Sequence, residues 1–193
     1  MVNGVFPEDI NECDAYISTG SRFSVYEDEP WIHQLLDFIR KISTSDRKYI
    51  GICFGHQAIG QAMGGKVQKA PVGWCVGVHT FTVQSVEDFM IPSLNKLSLL
   101  MMCQDQVVEL PSDTKVLAGV EHCPNAMIQV GENLLGIQAH PEFPKEYDEA
   151  LMRLRVERIG EERVNSGIES LKIPTDELTF ASWIVQFVEQ DIR

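Results

Sequence analysis

The sequence predicts an α/β domain with an open, mostly parallel sheet flanked by helices. Strand-like runs alternate with amphipathic helical runs along the chain, which is typical of strands joined by crossover helices. Between residues 79 and 138 short strands predominate, so we expect extra antiparallel strands there. With 193 residues and 44% hydrophobic content the chain can bury a substantial core, and we take residues 1–193 as a single domain.

The first half of the chain supplies the alternating elements. Apolar residues recur at helical spacing after residue 30, and Asp28 and Pro30 mark the start of that helix. A second helix-compatible run ends at Gly64-Gly65, a pair suited to a helix C-terminus. The predicted order is a strand at Ala15–Ser18, a helix from Trp31 to Ile42, a strand at Tyr49–Ile52 and a helix over Gln57–Met63.

The second half predicts a hairpin and two final helices. Gly131-Glu132-Asn133 separates the apolar runs Met127–Val130 and Leu134–Gln138, which indicates a β-hairpin. We expect one helix from about Pro144 to Asn165, capped by Gly167. The last helix follows Asp176, and its apolar spacing predicts a buried face of Leu178, Ala181, Ile184, Val185 and Val188.

Cys53 lies between Gly51 and Gly55, where the second strand must become a helix. This G-x-C-x-G pattern is the thiol version of the nucleophile elbow, in which a sharp turn exposes the nucleophile above the sheet. Glycines on both sides let the backbone fold that tightly, and the positive end of the following helix favours a thiolate. The alternative is a buried packing cysteine at the end of an apolar strand.

A cysteine nucleophile needs a base, and His140 is the best candidate of five histidines. It follows the second hairpin strand, and Glu142 lies two residues later, across a bend fixed by Pro141, so the carboxylate could orient the imidazole. A simple surface His-Pro-Glu turn is the alternative interpretation. Of the other histidines, His33 and His79 are better explained as structural, His56 as a packing or polar contact as readily as a base, and His122 stays undecided.

These two segments together resemble the class I, or triad, glutamine amidotransferases and their γ-glutamyl peptidase relatives. The matching motifs are Gly51–Gln57 and Gly136–Glu142. Stand-alone bacterial proteins similar to the amidotransferase domain of GMP synthase also share the motifs Ser18–Ser21, Val25–Asp28, Gly64–Val67, Gly73-Trp74, Gln104–Val107 and Arg158–Arg163. The resemblance covers nearly the whole chain and implies the flavodoxin-like fold of that family.

The resemblance also implies a function and a set of site residues. Cys53 would attack the side-chain amide of glutamine or another small γ-glutamyl compound, and form a thioester. His140 would transfer protons while Glu142 holds it in place. The oxyanion would bind the backbone amide of Phe54 and a second amide from the turn at Gly20. The residues expected to bind substrate are Gln57, Ser21, Gln104 and Asp105, although Gln57 taken alone would be interpreted as an exposed residue of the first helical turn.

The chain departs from these relatives in three places. Met102-Cys103 stands where many relatives have Ser-His, so the resemblance does not carry over any help that this pair gives to substrate binding. Cys75 stands where a small residue such as glycine is expected. Relatives usually have a strand, a helix and a second strand before the equivalent of Val2-Asn3-Gly4. We therefore expect one or more N-terminal strands to be missing, either from the sequence or from a truncated protein. Their absence would leave an open edge beside the nucleophile strand.

Composition excludes several classes of partner. The formal net charge of -12 disfavours nucleic acid and anionic membrane surfaces. No apolar run approaches the roughly 18 residues of a membrane span, and no signal peptide is visible, so we predict a cytoplasmic protein. Five cysteines without C-x-x-C spacing argue against a disulfide framework and a metal site; Cys13, Cys75, Cys103 and Cys123 are interpreted as reduced packing or loop residues.

Several hypotheses on function follow. The leading one is a glutamine amidotransferase that needs no cofactor and supplies ammonia to a separate synthase chain. The same triad also suits a γ-glutamyl peptidase acting alone. A non-catalytic binding module would have no need for all three triad residues. A redox or stress protein of the related elbow-cysteine families would have histidine directly after the nucleophile, where this chain has Phe54.

Overall fold

The computed structural model describes residues 1–190, which contain nine strands and six helices. The strands are β1 (Ala15–Ser18), β2 (Lys48–Ile52), β3 (Lys66–Lys69), β4 (Cys75–Val83), β5 (Lys96–Cys103), β6 (Asp105–Glu109), β7 (Thr114–Val120), β8 (Cys123–Val130) and β9 (Leu134–Ile137). The helices are α1 (Pro30–Ser43), α2 (Phe54–Ala62), α3 (Lys145–Leu154), α4 (Val156–Ile159), α5 (Glu161–Ser170) and α6 (Glu177–Glu189).

Seven strands form one mixed sheet in the order β1-β2-β9-β8-β7-β4-β5. The pairings β1–β2 and β2–β9 are parallel, and the remaining pairings are antiparallel. The short strands β3 and β6 pair separately in a two-stranded antiparallel sheet. The predicted α/β fold class is confirmed, as are the additional antiparallel strands and the β8–β9 hairpin.

The strand that leads to Cys53 has neighbours on both sides. β2 pairs with β1 through Ala15–Ser18 on one side and with β9 through Leu134–Ile137 on the other. The expected open edge beside the nucleophile strand is therefore wrong, because the strand that precedes it in sequence occupies that place. Within residues 1–190 the edge strands of this sheet are β1 and β5.

Alternate residues of the central strands face two different cores, as the two-residue period of a strand requires. Tyr49 and Leu134 pack with α1 and α2 on one face of the sheet. Ile50 and Leu135 pack with α6 on the opposite face. Because both faces are covered by helices, the ends of β2 and β9 are held in a fixed relation to each other.

The expected single helix from Pro144 to Asn165 is wrong. The chain forms α3, α4 and α5 there, with breaks at Arg155 and at Gly160, whose φ is +95°. Gly167 lies inside α5 rather than at a helix end. A Cβ at residue 167 would lie 2.6 Å from Met152 Sδ, so this glycine permits close packing of α5 against α3.

The buried face of α6 also differs from the prediction. Its deeply buried residues are Phe180, Trp183 and Phe187, which recur at helical spacing. Leu178 is 81% exposed, Ala181 and Val185 are also exposed, and only Ile184 and Val188 pack partly against the core. The aromatic stripe buries more apolar area than the aliphatic stripe would. In addition, Trp183 Nε1 donates a 3.0 Å hydrogen bond to Pro92 O.

Candidate active site

Cys53 occupies the sharp turn between β2 and α2. Its φ is 52° and its ψ is -98°, a strained conformation for a residue that is not glycine. The flanking glycines make this turn possible. A Cβ at Gly51 would lie 2.4 Å from the Gly55 carbonyl, and one at Gly55 would lie 2.1 Å from Ser18 Oγ. The turn therefore requires the G-x-C-x-G pattern, and it carries the thiol at the N-terminus of α2.

His140 follows β9, the parallel neighbour of β2, which brings its side chain to Cys53. The His140 backbone N–H donates a 2.7 Å hydrogen bond to Leu100 O, so β5 also holds it. Its Nδ1 lies 2.8 Å from Glu142 Oε1, and the thiol of Cys53 is its other side-chain hydrogen-bond partner. Because Glu142 occupies Nδ1, Nε2 is the nitrogen left for Cys53.

The pKa of His140 reflects two opposing effects. Burial alone would lower it, since the charged imidazolium is costly to desolvate. The negative charge and hydrogen bond of Cys53, followed by those of Glu142, outweigh burial and raise the pKa of His140 to about 10. The arrangement therefore favours a charged imidazolium held between the Cys53 sulfur and the Glu142 carboxylate.

Two adjoining cavities meet at Cys53. The Gln57 cavity, of about 290 Å³, is lined by residues that include Gln57, Asp105 and Arg158. The His140 cavity, of about 370 Å³, is lined by residues that include His140, Phe143 and Tyr147. Residues common to both linings are Ser21, Arg22, Cys53, Met102 and Arg155.

The four residues expected to bind substrate all line the Gln57 cavity: Ser21, Gln57, Gln104 and Asp105. Gln57 is only 3% exposed, so its interpretation as an exposed first-turn residue is wrong. Its Nε2 donates to Asp105 O at 2.8 Å and to Gln138 Oε1 at 3.3 Å. The Asp105 carboxylate accepts hydrogen bonds from Ser24 Oγ at 2.6 Å and from Tyr26 Oη at 3.1 Å. These bonds fix the polar wall of the cavity.

Phe54 and Gly20 lie on either side of the reacting groups. Phe54 is the first residue of α2, and N–H groups in a first helical turn have no partner within the helix. Gly20 lies against the imidazole, since a Cβ at residue 20 would be 2.7 Å from His140 Cε1. Both backbone segments are thus positioned next to the Cys53 and His140 side chains.

Residues 13–158 match the family model of class-I glutamine amidotransferases. The chain belongs to this family. The identification accounts for the paired motifs at Cys53 and His140 and for the mixed sheet that brings them together.

Relatives of this chain include both a γ-glutamyl peptidase and a GMP synthase. The chain is 36% identical over 155 residues to γ-glutamyl peptidase 4 of Arabidopsis thaliana, which is 76% of this chain and 61% of that protein. It is 31% identical over 139 residues to the glutamine-hydrolysing GMP synthase of Porphyromonas gingivalis, which is 71% of this chain and 26% of that protein. The matched part therefore spans less than two thirds of either relative.

Solved structures support the fold of the amidotransferase domain. A glutamine amidotransferase from Thermotoga maritima superposes with a TM-score of 0.82 at 19% identity, covering 98% of this chain and 84% of that one. A glutamine amidotransferase from Methylobacillus flagellatus gives a TM-score of 0.73 at 21% identity, covering 94% and 80%. At these identities the likeness is one of fold.

The other histidines of the domain occupy structural positions. His56 is fully buried against Gly136, and burial lowers its pKa to about 4. His33 is exposed and pairs with Asp28. His79 Nδ1 and His122 Nε2 are 2.8 Å apart, and burial, with the charge of His122, lowers the pKa of His79 to about 4. None of these four lines a cavity that contains Cys53.

Three residues of the site were missed by sequence reasoning. Gln138 is fully buried and its Nε2 lies 3.6 Å from Cys53 Sγ. Its one signal was a polar side chain at the end of a buried strand, two residues before His140. Arg22 and Arg155 line both cavities, although they lie far apart in sequence. No local pattern connects them.

Residues 1–190 contain neither a cluster of metal-binding side chains nor a membrane-spanning helix. Within that range, no group of three or more His, Cys, Asp or Glu side chains is arranged to hold a metal ion. Over the same residues, each helix is too short or too polar to cross a bilayer.

Proposed function

We propose that Cys53 is the nucleophile of a cysteine amidohydrolase that cleaves a γ-glutamyl amide. The observation that carries the proposal is the strained Cys53 turn together with the contacts of its thiol. The thiol is hydrogen-bonded to the imidazole of His140, and Glu142 holds that imidazole from its other side. This combination has the three parts of a nucleophile, base and acid triad. A non-catalytic module would have no reason to retain the strain at residue 53.

The reaction follows from these positions. The Cys53 thiolate attacks the γ-carbonyl carbon, and the carbonyl oxygen becomes an oxyanion that the backbone amides of Phe54 and Gly20 stabilise. His140 gives its proton to the departing amine as the carbon–nitrogen bond breaks, which leaves a γ-glutamyl thioester. His140 then takes a proton from water, the hydroxide attacks the thioester, and glutamate and the Cys53 thiolate are released.

The two cavities divide the substrate at the scissile bond. The γ-glutamyl group fits the polar Gln57 cavity, where Ser21, Gln104 and Asp105 offer partners for its amino and carboxylate groups. The leaving group lies in the His140 cavity, because His140 must reach the departing nitrogen. No cofactor is needed for either step, and we propose that residues 1–193 act as one domain.

The His140 cavity favours a leaving group larger than ammonia, which makes γ-glutamyl peptidase the second candidate function. Its volume of about 370 Å³ and its apolar residues Phe143, Tyr147 and Leu151 suit an amino acid or short peptide. Arg22 and Arg155 line it as well, and neither forms an ion pair with a carboxylate within residues 1–190. In a protein of net charge -12, these cations suit a leaving group with its own carboxylate.

The similarity to a GMP synthase supports the glutamine amidotransferase as the other candidate function, in which ammonia passes to a separate synthase chain. The similarity to a γ-glutamyl peptidase supports hydrolysis without a partner. In both cases the five unpaired cysteines, one of them the nucleophile, suit a reducing compartment, and we propose a cytoplasmic location.

Two measurements test these proposals. A diazo-ketone analogue of glutamine should add once to the protein, and the adduct should be absent in Cys53→Ser; no adduct on folded protein would contradict the nucleophile assignment. Steady-state hydrolysis of γ-glutamylglycine, γ-glutamylglycinamide and glutamine then distinguishes the candidates. We expect γ-glutamylglycine to be the best substrate, with its advantage over the glycinamide reduced in Arg155→Gln. Glutamine as the best substrate would favour the amidotransferase.

A further inference from the structure

Four of the five cysteines share one buried cluster, and two of them face each other across neighbouring strands. Cys53, Cys75, Cys103 and Cys123 all belong to the apolar core between the sheet and α6. In the β4–β5 ladder, Cys75 is the direct partner of Cys103. The Cys103 thiol donates a hydrogen bond to the Cys75 sulfur. The two thiols are therefore in contact without any change in strand register.

The ladder places this pair at a separation that a disulfide can span. The Val78 N–H bonds to Ser170 Oγ, and Leu100 O accepts from the His140 N–H, so Val78 and Leu100 do not bond to each other. Hydrogen-bonded and non-bonded pairs alternate along an antiparallel ladder. The Cys75–Cys103 pair lies three positions away from Val78 and Leu100, so it is a hydrogen-bonded pair of the ladder. The Cα atoms of such a pair are about 5.5 Å apart. Disulfides need roughly 4.4–6.8 Å between Cα atoms.

The surroundings give the two thiols different roles. The hydrogen bond from Cys103 lowers the pKa of Cys75 despite its burial, and the charge of Arg163 and the Gln106 amide lower it further. The same hydrogen bond, together with burial, raises the pKa of Cys103. Gln106 Nε2 lies 3.6 Å from Cys75 Sγ. Of the two thiols, Cys75 is therefore the one that ionises more easily, and Cys103 is the one that holds its proton more tightly.

Each thiol is reached from a different cavity. Cys75 lines a cavity of about 290 Å³ with Arg163 and His122, and Cys53 does not line that cavity. Cys103 lines the Gln57 cavity together with Cys53, and Trp74 lines both cavities. A small oxidant in the cavity lined by Arg163 therefore meets Cys75. Cys103 contacts that thiol and also lines the Gln57 cavity of the active site.

We propose that Cys75 and Cys103 are a modification site, at which hydrogen peroxide forms a reversible disulfide between β4 and β5. The Cys75 thiolate attacks one peroxide oxygen; a sulfur–oxygen bond forms, the oxygen–oxygen bond breaks, and hydroxide leaves. Cys103 gives its proton to that hydroxide, and its sulfur attacks Cys75. The disulfide forms, the sulfur–oxygen bond breaks, and the second hydroxyl leaves as hydroxide. This hydroxide takes up the proton that Cys75 released to solvent on ionising, and becomes water. Two thiols are oxidised and one peroxide is reduced to two waters.

The disulfide lies next to the substrate site. Cys103 immediately precedes Gln104 and Asp105, and the Gln106 amide contacts Cys75. Oxidation therefore converts the Cys75 sulfur, which accepts from the Gln106 amide, into part of a disulfide. The same bond ties β4 to the segment that lines the Gln57 cavity. The nucleophile itself is not consumed, because Cys53 takes no part in either step.

The test uses the full chain treated with hydrogen peroxide, then denatured, alkylated and mapped by mass spectrometry. We expect two fewer alkylated thiols, peptides that link Cys75 to Cys103, and full reversal by dithiothreitol. Cys75→Ser and Cys103→Ser should abolish the link, whereas Cys123→Ser, which removes another buried thiol of the cluster, should retain it. Linked-peptide mapping of the wild-type protein needs no variant, so poor folding of a variant cannot decide the result.

Three results would overturn the proposal. They are five alkylated thiols after peroxide treatment, a link between Cys53 and Cys103 in place of the expected one, and oxidation confined to Cys53. Labelling of Cys53 by the diazo-ketone before and after oxidation keeps the proposal separate from the catalytic function, since the disulfide forms whether or not Cys53 reacts with a substrate.

Discussion

The backbone of Gly20 lies directly against the imidazole of His140, and a Cβ at residue 20 would be 2.7 Å from Cε1. No real Cβ tolerates that distance, and the imidazole has little freedom to yield. Its Nδ1 is held by Glu142, and its ring stacks on Phe143 with centroids 4.0 Å apart. The loop after β1 therefore sets the position of the base as well as the expected oxyanion donor.

Gly20→Ala should consequently impair catalysis while leaving the fold intact. The added methyl group displaces His140 from Cys53, and a misplacement of about 1 Å at a reacting group costs on the order of 10²-fold in rate. We expect the loss in kcat for γ-glutamylglycine, with a smaller change in KM and an unchanged circular dichroism spectrum. Full activity in this variant would show that the loop moves aside and does not position His140.

The pKa of His140 should depend strongly on Cys53. Burial lowers it, while Cys53 and then Glu142 raise it to about 10. In Cys53→Ser the contribution of Cys53 is gone, so we expect the pKa of His140 to fall, as followed by the imidazole proton signals in NMR. An unchanged His140 pKa would mean that Glu142 alone raises it.

The same shift makes stability depend on pH. The folded pKa of His140 lies above its ordinary 6.5, so the charged form stabilises the folded state. This stabilisation is complete below about pH 6.5 and is lost as the pH rises through about 10. Urea unfolding between pH 6 and pH 10 should show the loss in the wild-type protein and a weaker dependence in Cys53→Ser. Parallel profiles for the two proteins would contradict the assignment of the pair.

The sequence was most informative where structure depends on neighbouring residues. The turn at Cys53 follows from two glycines within two residues of it, and the β8–β9 hairpin follows from three residues between two apolar runs. Arg22 and Arg155 could not be predicted in the same way, because they meet at a cavity through the packing of distant elements. Neither arginine has a neighbour in sequence that indicates a ligand.

The misassigned face of α6 has a different cause. Two stripes of this helix have helical spacing, one aliphatic and one aromatic, so periodicity alone does not choose between them. The sheet packs on Phe180, Trp183 and Phe187, and the 81% exposure of Leu178 is the result. Which stripe faces the core is decided by the fit to the sheet, and no residue near α6 in the sequence carries that information.

Matched truncations on α6 would measure this difference. Trp183→Ala removes a fully buried ring and the hydrogen bond to Pro92, so we expect a loss of roughly 3–5 kcal/mol in the free energy of unfolding. Leu178→Ala on the same helix should change it by less than about 0.5 kcal/mol, as is usual for an exposed site. Equal losses in urea denaturation would contradict the orientation of α6.

Asp148 offers a stabilising substitution near the site. It is fully buried on α3, and neither oxygen has a hydrogen bond of good geometry within residues 1–190. Burial raises its pKa from the ordinary 3.8 to about 6, although the charges of His140 and Arg155 and the nearby Gly77 amide oppose the shift. Ionisation is therefore costly in the folded state, and the stability of the protonated form is lost as the pH rises from about 4 through about 6.

Asp148→Asn removes that cost because a neutral amide replaces the carboxylate. At pH 7.5 we expect the variant to be more stable by roughly 1–3 kcal/mol, from about 1.4 kcal/mol per unit of pKa shift. The gain should vanish below about pH 4, where the wild-type carboxyl is already protonated. Thermal unfolding at the two pH values provides the comparison, and the exposed Asp37→Asn serves as the control. A variant that is less stable at pH 7.5 would show that His140 and Arg155 need the negative charge of Asp148.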